Sequence, residues 1–358
     1  MIKEYLQKVI EGQDLTFAES FEAMSEIMSG NVNNSHLAGF LIALKAKGET
    51  PAEVAGFAKA MLEKSIKINC DDENVIDVCG TGGDNSGSFN ISTAAAFVVA
   101  GAGVKVAKHG NRSISSKSGS ADVLTALGVN INLTKEQSEE ALNKVGIAFL
   151  FAPLYHPAMK YAAPVRKELG MKTVFNMLGP LTNPARVKKQ IIGTFNLKAA
   201  KTMAEAAKYL DLKKVCFLCG IDKYDEIFLG DITEVREYNQ GEEIKSYKLS
   251  NKTFGYPLIL HDDIKGDTPE VNAQIILDVF SQGDESYENK KQNGAFHTVA
   301  ANAALALYAA DYSNDLSECK RAAEDSILKG AAMAKLNELK KFSAVFAAQS
   351  TLPSKYSF

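Results

Sequence analysis

Two polar loops hold the residues whose types and spacing could do chemistry in this sequence. The first loop, Gly80 to Ser92, contains four glycines. Near the start of the helix that follows, hydroxyl and amide side chains are supplied by Ser88, Asn90, Ser92 and Thr93. Backbone N–H groups freed by glycine, beside the start of a helix, bind phosphate and other anions. The Ser92 hydroxyl could also bind a magnesium ion carried by a diphosphate. An N-capped helix after a flexible turn would produce the same pattern.

The second loop, Lys108 to Ser120, adds positive charge and five serines. Its cationic and titratable side chains are Lys108, His109, Arg112 and Lys117. A solvated polar loop is the alternative explanation. Each loop follows a short apolar segment typical of a strand, and ligands of open α/β sheets bind at the carboxyl ends of the strands. The two loops are therefore expected to face one crevice that holds a polyphosphorylated substrate.

The first loop does not match the two commonest nucleotide-binding signatures. Gly80 and Gly82 lack the third glycine of a G-x-G-x-x-G turn, because position 85 is asparagine. The segment from Gly82 to Ser88 has no lysine where a P-loop places one. Neither NAD binding nor ATP hydrolysis follows from these motifs.

The elements that position the loops alternate between strand and helix from residue 74 onward. Strands are predicted at 75–78, 104–107, 147–151, 190–195 and 214–218, with a polar hairpin over 234–247. Helices are predicted at 92–101, 119–128, 135–145, 269–281, 296–312 and 315–342. Such alternation predicts a mainly parallel sheet with helices on its faces.

The first seventy residues are predicted to be helical. Thr16 with Glu19, and Thr50 with Glu53, form capping boxes that each precede apolar residues at helical spacing. A proline-broken helical stretch, 155–182, could rejoin this part. The predicted fold class is therefore α/β, with a small all-helical domain beside a larger α/β domain.

Composition narrows the class of protein. The chain has 358 residues, enough for two domains, and 46% hydrophobic with 23% charged residues is typical of a globular protein. A net charge of −3 gives no general attraction to nucleic acid or to a membrane surface. Without an apolar leader or a membrane-length apolar run, we expect a cytoplasmic protein. Cys216 and Cys219 lie in a strand-like apolar run, which indicates buried thiols rather than a zinc or redox site.

Five ordered motifs, spread over nearly the whole chain, resemble those of the anthranilate phosphoribosyltransferases. They are Cys79–Asp84, Phe89–Thr93, Lys108–Arg112, Ser116–Asp122 and Phe175–Ala185. The resemblance implies transfer of the phosphoribosyl group of 5-phosphoribosyl 1-diphosphate (PRPP) to anthranilate, with Mg²⁺, in tryptophan biosynthesis. It also implies a nucleoside phosphorylase-like fold, a homodimer formed through the helical part, and an active site between the domains. The helical domain would comprise 1–71 with part of 165–188, and the α/β domain 72–164 and 189–358.

The same resemblance implies which residues bind the substrates and the metal. PRPP would contact Gly80, Gly83, Asp84, Ser88, Asn90, Ile91, Ser92, Thr93, Lys108, His109, Gly110, Asn111, Arg112, Ser113, Ile114, Ser115, Ser116 and Ser120. Anthranilate would contact Gly80, Asn111 and Arg166, with His109 and His156 as further candidates. Magnesium ligands would be Ser92, Asp225 and Glu226. No obligatory acid or base is assigned, because the aromatic amine is already neutral and needs mainly positioning.

Departures from the family pattern and two competing functions accompany this interpretation. Asn85 and Lys172 stand where glycine and arginine are more usual, and Lys223-Tyr224 precede the acidic pair in place of smaller or apolar residues. A pyrimidine nucleoside phosphorylase would share the fold and bind phosphate with a ribosyl group. A noncatalytic relative that binds nucleic acid would need a basic groove, which the weakly acidic charge disfavours.

Overall fold

A seven-stranded sheet organises the larger part of the chain in the computed structural model, which describes residues 1–70, 72–83, 86–113, 117–221, 223–281 and 293–346. The strands are β1 (Ile76–Gly80), β2 (Val106–Gly110), β3 (Ile147–Phe151), β4 (Lys189–Gly193), β5 (Lys214–Gly220), β6 (Thr233–Asn239) and β7 (Lys245–Leu249). Their order is β3-β2-β1-β4-β5-β6-β7, and β1 to β5 are parallel. The carboxyl ends of these five strands therefore meet at one edge.

The predicted polar hairpin is confirmed and extends the sheet. Strands β6 and β7 pair antiparallel with each other, and β6 pairs antiparallel with β5. Lysines on the half-exposed outer strand, such as Lys245 and Lys248, keep its edge charged and discourage edge-to-edge association. The inner strands are buried on both faces, as expected of parallel strands covered by helices.

Helices flank the sheet and also form the amino-terminal part. They are α1 (Ile2–Ile10), α2 (Phe17–Met28), α3 (Asn34–Lys47), α4 (Pro51–Glu63), α5 (Ile91–Gly101), α6 (Ser120–Ala126), α7 (Lys135–Lys144), α8 (Ala152–Tyr155), α9 (Ala163–Leu169), α10 (Phe175–Leu178), α11 (Leu197–Ala207), α12 (Asn251–Phe254), α13 (Pro269–Phe280), α14 (Gly294–Ala309), α15 (Leu316–Leu328) and α16 (Ala331–Ala344). The capping boxes at Thr16 and Thr50 are both formed. The predicted fold class is confirmed.

Two of the differences from the predicted element boundaries have a clear physical reason. Strand β2 begins at Val106 and continues through Gly110, which pairs with Phe151, so Lys108 and His109 are strand residues rather than loop residues. The helix predicted over 315–342 is two helices, separated where Gly330 adopts a φ of 78°. That conformation favours glycine and ends a helix.

The hydrophobic core has two clusters on opposite faces of the sheet. The larger contains β1 to β3 with α5 and α14, and the smaller joins α1 to α4 with α9, α10, α11 and the sheet residues Ile192, Val215 and Phe217. Cys216 and Cys219 are buried thiols, and burial raises the pKa of Cys216 to about 12. Among the described residues, no helix is both long enough and apolar enough to cross a membrane.

Candidate active site

The first loop leaves β1 at Gly80 and enters α5 at Ile91. Gly83 lies within it with a φ of 70°, whereas Asp84 and Asn85 lie outside the described residues. A segment that follows a short 3₁₀ turn at 261–264 holds the far side of the loop. The N–H of Phe89 donates to Ile264 O (3.0 Å), and the N–H of Gly266 donates to Gly87 O (2.8 Å). The loop is therefore held on a second segment of the chain.

The acidic pair Asp225-Glu226 lies against this loop. Ser88 Oγ donates to Glu226 Oε1 at 3.4 Å. A Cβ atom added at Gly80 would stand 3.2 Å from Asp225 Cγ and closer still to its Oδ2. Asn302 of α14 fixes the next residue, since its Oδ1 accepts from the Ile227 N–H (3.0 Å) and its Nδ2 donates to Ile227 O (3.2 Å). Residues that are far apart in sequence thus meet at the carboxyl edge of the sheet.

Lys108 places a buried cation beneath the start of α5. Its Nζ donates to Val78 O and to Ser92 Oγ (3.3 Å). Burial lowers the pKa of Lys108, while the nearby Asp77 and Asp225 carboxylates act in the opposite direction. Because the ammonium is held by strand β2, it is more rigid than a loop lysine would be. Its positive charge lies where negative charge on a ligand would be stabilised.

The predicted side chains at the start of α5 point in different directions. Ile91 and Thr93 are buried, and Thr93 Oγ1 has no hydrogen-bond partner in the described part of the chain. Thr93 lines a small cavity with Phe97, Lys108 and Leu124 below the loop. Ser92 is half-buried and faces Lys108. Of these three side chains, only that of Ser92 makes a polar contact at this end of the helix.

The second loop is tied together by Asp122, to which sequence reasoning assigned no role. Its carboxylate accepts from Arg112 Nη1 (2.7 Å), the Ser113 N–H (3.1 Å) and the Gly119 N–H (3.0 Å). Ile114, Ser115 and Ser116 lie outside the described residues. Ser120 Oγ donates to Asn111 O at 3.2 Å. The two ends of the loop are therefore held together by one carboxylate and one hydroxyl.

The two loops contact each other directly through Asn90. Asn90 Nδ2 donates to Ser118 O (3.2 Å), and Ser118 Oγ donates to Asn90 Oδ1 (3.0 Å). Gly110, at the end of β2, packs so closely on Phe149 that a Cβ atom there would approach it to 2.7 Å. The loops thus occupy adjacent positions at one edge of the sheet, as their spacing predicted.

A chain of contacts runs from α9 to the end of β2. The Arg166 guanidinium lies over the Phe175 ring, with its Cζ 5.0 Å from the ring centroid. Gly179, just after α10, accepts through its carbonyl oxygen from His109 Nδ1 (3.2 Å). The His109 and His156 rings lie 5.1 Å apart. Of the predicted acceptor residues, His109 and His156 thus lie together at β2, and the α10 segment connects them along the chain to the ring that Arg166 covers.

Burial sets the charge states in this region. It lowers the pKa of His109 to about 3 and that of His156 to about 4, so both rings are neutral near pH 7. A carbonyl only accepts, so Nδ1 of His109 carries the proton. Burial also lowers the pKa of Arg166, which remains charged. Among the described residues, the Arg166 side chain has neither a hydrogen bond nor an ion pair, which leaves its donors available to a carboxylate.

Asp77 and Asn183 are buried side chains whose hydrogen bonds hold the strands that carry the site. The buried Asp77 carboxylate accepts from the His109 N–H (3.1 Å) and from Asn183 Nδ2 (2.8 Å). Asn183 Nδ2 also donates to Ala107 O (2.8 Å). Sequence reasoning gave neither residue a role, although a charged residue within an apolar strand was a signal for one. Together they fix β2 and the 180–185 segment relative to β1.

Comparison with known proteins gives the class first. Residues 3–65 match the helical bundle domain of a glycosyl transferase family, and residues 72–333 match the a/b domain of that family. The fold, with two glycine- and serine-rich loops at the carboxyl edge of a parallel sheet, is thus that of a glycosyl transferase with a helical bundle domain.

Individual relatives then give the family. An anthranilate phosphoribosyltransferase of Hahella chejuensis is 44% identical over 96% of this chain and 98% of its own. The enzyme of that name from Thermus thermophilus is 37% identical, with a TM-score of 0.85 over 95% of this chain and 99% of its own. The Saccharomyces cerevisiae enzyme, solved in complex with PRPP and Mg, has a TM-score of 0.86 at 26% identity over 96% and 98%. The chain belongs to the anthranilate phosphoribosyltransferase family, and the resemblance seen in its motifs is confirmed.

Proposed function

We propose that this protein transfers the phosphoribosyl group of PRPP to the amine of anthranilate and releases diphosphate, as a step of tryptophan biosynthesis. The observation that carries the proposal is the contact between the two loops through Asn90, with the acidic pair held against the first loop by Ser88. This edge of the sheet provides groups for an anionic donor, and Arg166 of α9, which lies over Phe175, has donors for the carboxylate of the acceptor.

The donor side is suited to stabilising a departing diphosphate. The start of α5, the Ser88 and Ser92 hydroxyls and the buried Lys108 cation lie together there. Preorganised donors of this kind stabilise negative charge as it develops, without reorganising during the reaction. We assign the binding of PRPP to the residues between Gly80 and Ser120.

The oxygen-rich side of the crevice fits a magnesium ion. Magnesium is usually bound by one or two carboxylates together with substrate phosphates. Asp225 and Glu226 are half-buried, and Glu226 lies beside Ser88. We assign Asp225, Glu226 and Ser92 as its ligands. When bound with PRPP, the ion would neutralise charge on the leaving group.

The acceptor side can orient anthranilate without deprotonating it. A guanidinium forms paired hydrogen bonds with a carboxylate, and Arg166 is held in place over Phe175. His109 and His156 are neutral, so they would contact the ring or amine without adding charge. Positioning then accounts for much of the rate enhancement, since the amine attacks as the neutral species.

The assembly and compartment are also part of this proposal. A helical domain of 1–71 with part of 165–188 is supported by the packing of α9 and α10 on α3 and α4. Ile10 and Ile42 are exposed apolar side chains on α1 and α3. They support a homodimer formed through the helical part. A cytoplasmic location is consistent with a biosynthetic enzyme.

Loss of anthranilate fluorescence on incubation with PRPP and Mg²⁺ tests the reaction directly. We expect consumption that depends on both PRPP and Mg²⁺. Phosphorolysis of thymidine and uridine is measured with the same preparation. Phosphorolysis without anthranilate consumption would instead identify a nucleoside phosphorylase, and salt-sensitive gel shifts with neither activity would indicate a nucleic-acid-binding relative.

A further inference from the structure

The start of α5 lacks the side-chain cap that its N-cap residue normally provides. Asn90 occupies the N-cap position, yet its side chain makes no hydrogen bond to the helix. Asn33, Asn196 and Asn293 occupy the same position on α3, α11 and α14, and each of them caps its own helix. Residue type therefore does not explain the difference at Asn90, whose backbone, with a ψ of 65°, also departs from the extended conformation of the three capping residues.

As a result, one backbone N–H in the first turn of α5 receives no side-chain acceptor from its N-cap residue. An N-cap side chain normally accepts from the second or third helical residue, here Ser92 or Thr93. The Thr93 N–H already donates to Asn90 O at 3.1 Å. Among the described residues, the Ser92 N–H has no hydrogen-bond partner. This N–H lies at the positive end of α5, where an anion is favoured.

Asn272 of α13 holds the Asn90 side chain away from the helix. Asn272 is 2% exposed, and its Oδ1 accepts from the Asp267 N–H at 2.8 Å. A backbone N–H can only donate, so the Asn272 amide has one possible orientation. Its Nδ2 must then face Asn90 Oδ1, to which it donates at 3.0 Å. Asn90 Nδ2 is consequently directed to Ser118 O, and Ser118 Oγ donates to the same Asn90 Oδ1 at 3.0 Å.

We propose that Asn272 is a positioning residue for PRPP binding: it holds the Asn90 amide in the uncapped orientation, so that the Ser92 N–H remains available to the diphosphate. This inference rests on the proposed function for the identity of the ligand. Asn272 touches neither substrate in this account and acts through Asn90. Its loss would remove one of the contacts that keep Asn90 out of the extended capping conformation, so that Asn90 can cap its own helix in competition with the diphosphate.

Calorimetric titration with PRPP and Mg²⁺ tests the proposal on Asn272→Ala, Asn90→Ala and the double variant. We expect Asn272→Ala to raise the Kd for PRPP about fivefold, equivalent to about 1 kcal/mol, the usual contribution of an N-cap. The KM for anthranilate and kcat should change less than twofold. In the Asn90→Ala background, Asn272→Ala should have no further effect, because no amide remains to compete. Asn239→Ala, which alters an amide at the opposite end of the sheet, is the matched control.

Additive effects in this cycle, or an unchanged Kd in Asn272→Ala, would overturn the proposal. If Asn272→Ala does not fold, Asn272→Asp takes its place, because it keeps the acceptor for Asp267 and loses only the donor to Asn90. Asn272→Asp also adds a negative charge, but the effect of that charge on the Kd for PRPP is present with and without the Asn90 side chain, so it cancels in the double-mutant cycle. A wild-type protein that binds PRPP but leaves anthranilate unchanged would refute the proposed reaction alone, whereas one that binds no PRPP would refute both.

Discussion

Replacing Gly80 with alanine is expected to displace the Asp225 carboxylate without straining the backbone. Gly80 does not have a positive φ, so alanine is compatible with its conformation. The added Cβ would nevertheless stand 3.2 Å from Asp225 Cγ and nearer still to Oδ2. Since Cβ atoms in proteins do not approach other heavy atoms within 3.0 Å, the carboxylate has to move.

The size of the effect follows from that movement. Restoring ordinary contact requires a shift of about 1 Å, and a misplacement of that size in an active site can cost about 100-fold in rate. We therefore expect kcat/KM to fall about 100-fold, equivalent to about 2.7 kcal/mol of transition-state stabilisation. The Mg²⁺ concentration for half-maximal rate should rise as well, because a proposed ligand has moved.

The assay is the rate of anthranilate consumption over a range of Mg²⁺ concentrations, with thermal unfolding of each variant. Gly82→Ala is the matched control in the same loop, because Gly82 has a φ of 63° and nothing within 4 Å of an added Cβ. It should lose about 1–2 kcal/mol of stability through backbone strain and keep the wild-type Mg²⁺ requirement. The reasoning is refuted if Gly80→Ala retains wild-type kinetics within twofold, or if Gly82→Ala shifts the Mg²⁺ requirement equally.

Three further predictions address the acceptor, the metal and pH. Arg166→Gln should lower kcat/KM for anthranilate about 100-fold without changing the Kd for PRPP, because hydrogen bonds to a charged group contribute about 1.5–3 kcal/mol each. The control Lys167→Ala, on the exposed side of the same helix, should have no effect on either quantity. The double variant Asp225→Asn with Glu226→Gln should react at least about tenfold more slowly, and its turnover should no longer respond to Mg²⁺ at low concentrations. Unchanged turnover and an unchanged response to Mg²⁺ would make the metal assignment wrong. His109 has a pKa of about 3 in the folded protein, so below about pH 6.5 only the unfolded state takes up the proton on this ring. The free energy of unfolding should therefore fall by about 2 kcal/mol between about pH 6.5 and pH 5 because of this one residue. Urea unfolding at pH 7.5 and pH 5 checks this, because His109→Gln should show a smaller loss than the wild-type protein, and equal losses would contradict a buried neutral ring.

Features governed by local rules were predicted well from the sequence. The capping boxes at Thr16 and Thr50 form as their spacing indicates, because such a box involves only four consecutive residues. The hairpin over 234–247 was likewise visible as two polar strands close in sequence. The order of loop and helix after β1 was predictable because glycine, hydroxyl and apolar residues follow one another there.

Boundaries set by pairing between strands were less predictable. Lys108 and His109 are polar, so they were assigned to a loop, yet the pairing of β2 with β3 extends to Gly110 and Phe151. A lysine is tolerated in the buried strand because its ammonium reaches Val78 O and Ser92 Oγ at the carboxyl edge. Sequence periodicity contains no information about such a partner.

The sequence by itself determined the fold class, the two loops and the family, because those depend on residue order and local spacing. Only the tertiary structure decided which side chains meet. Ser88 and Glu226 are separated by 138 positions and Asn90 and Asn272 by 182, yet each pair is joined by a hydrogen bond. A directional contact over such a separation depends on how the helices pack against the sheet, and no local pattern specifies it. For that reason Asp122, Asn183 and Asn272 acquired a role only when their partners could be seen.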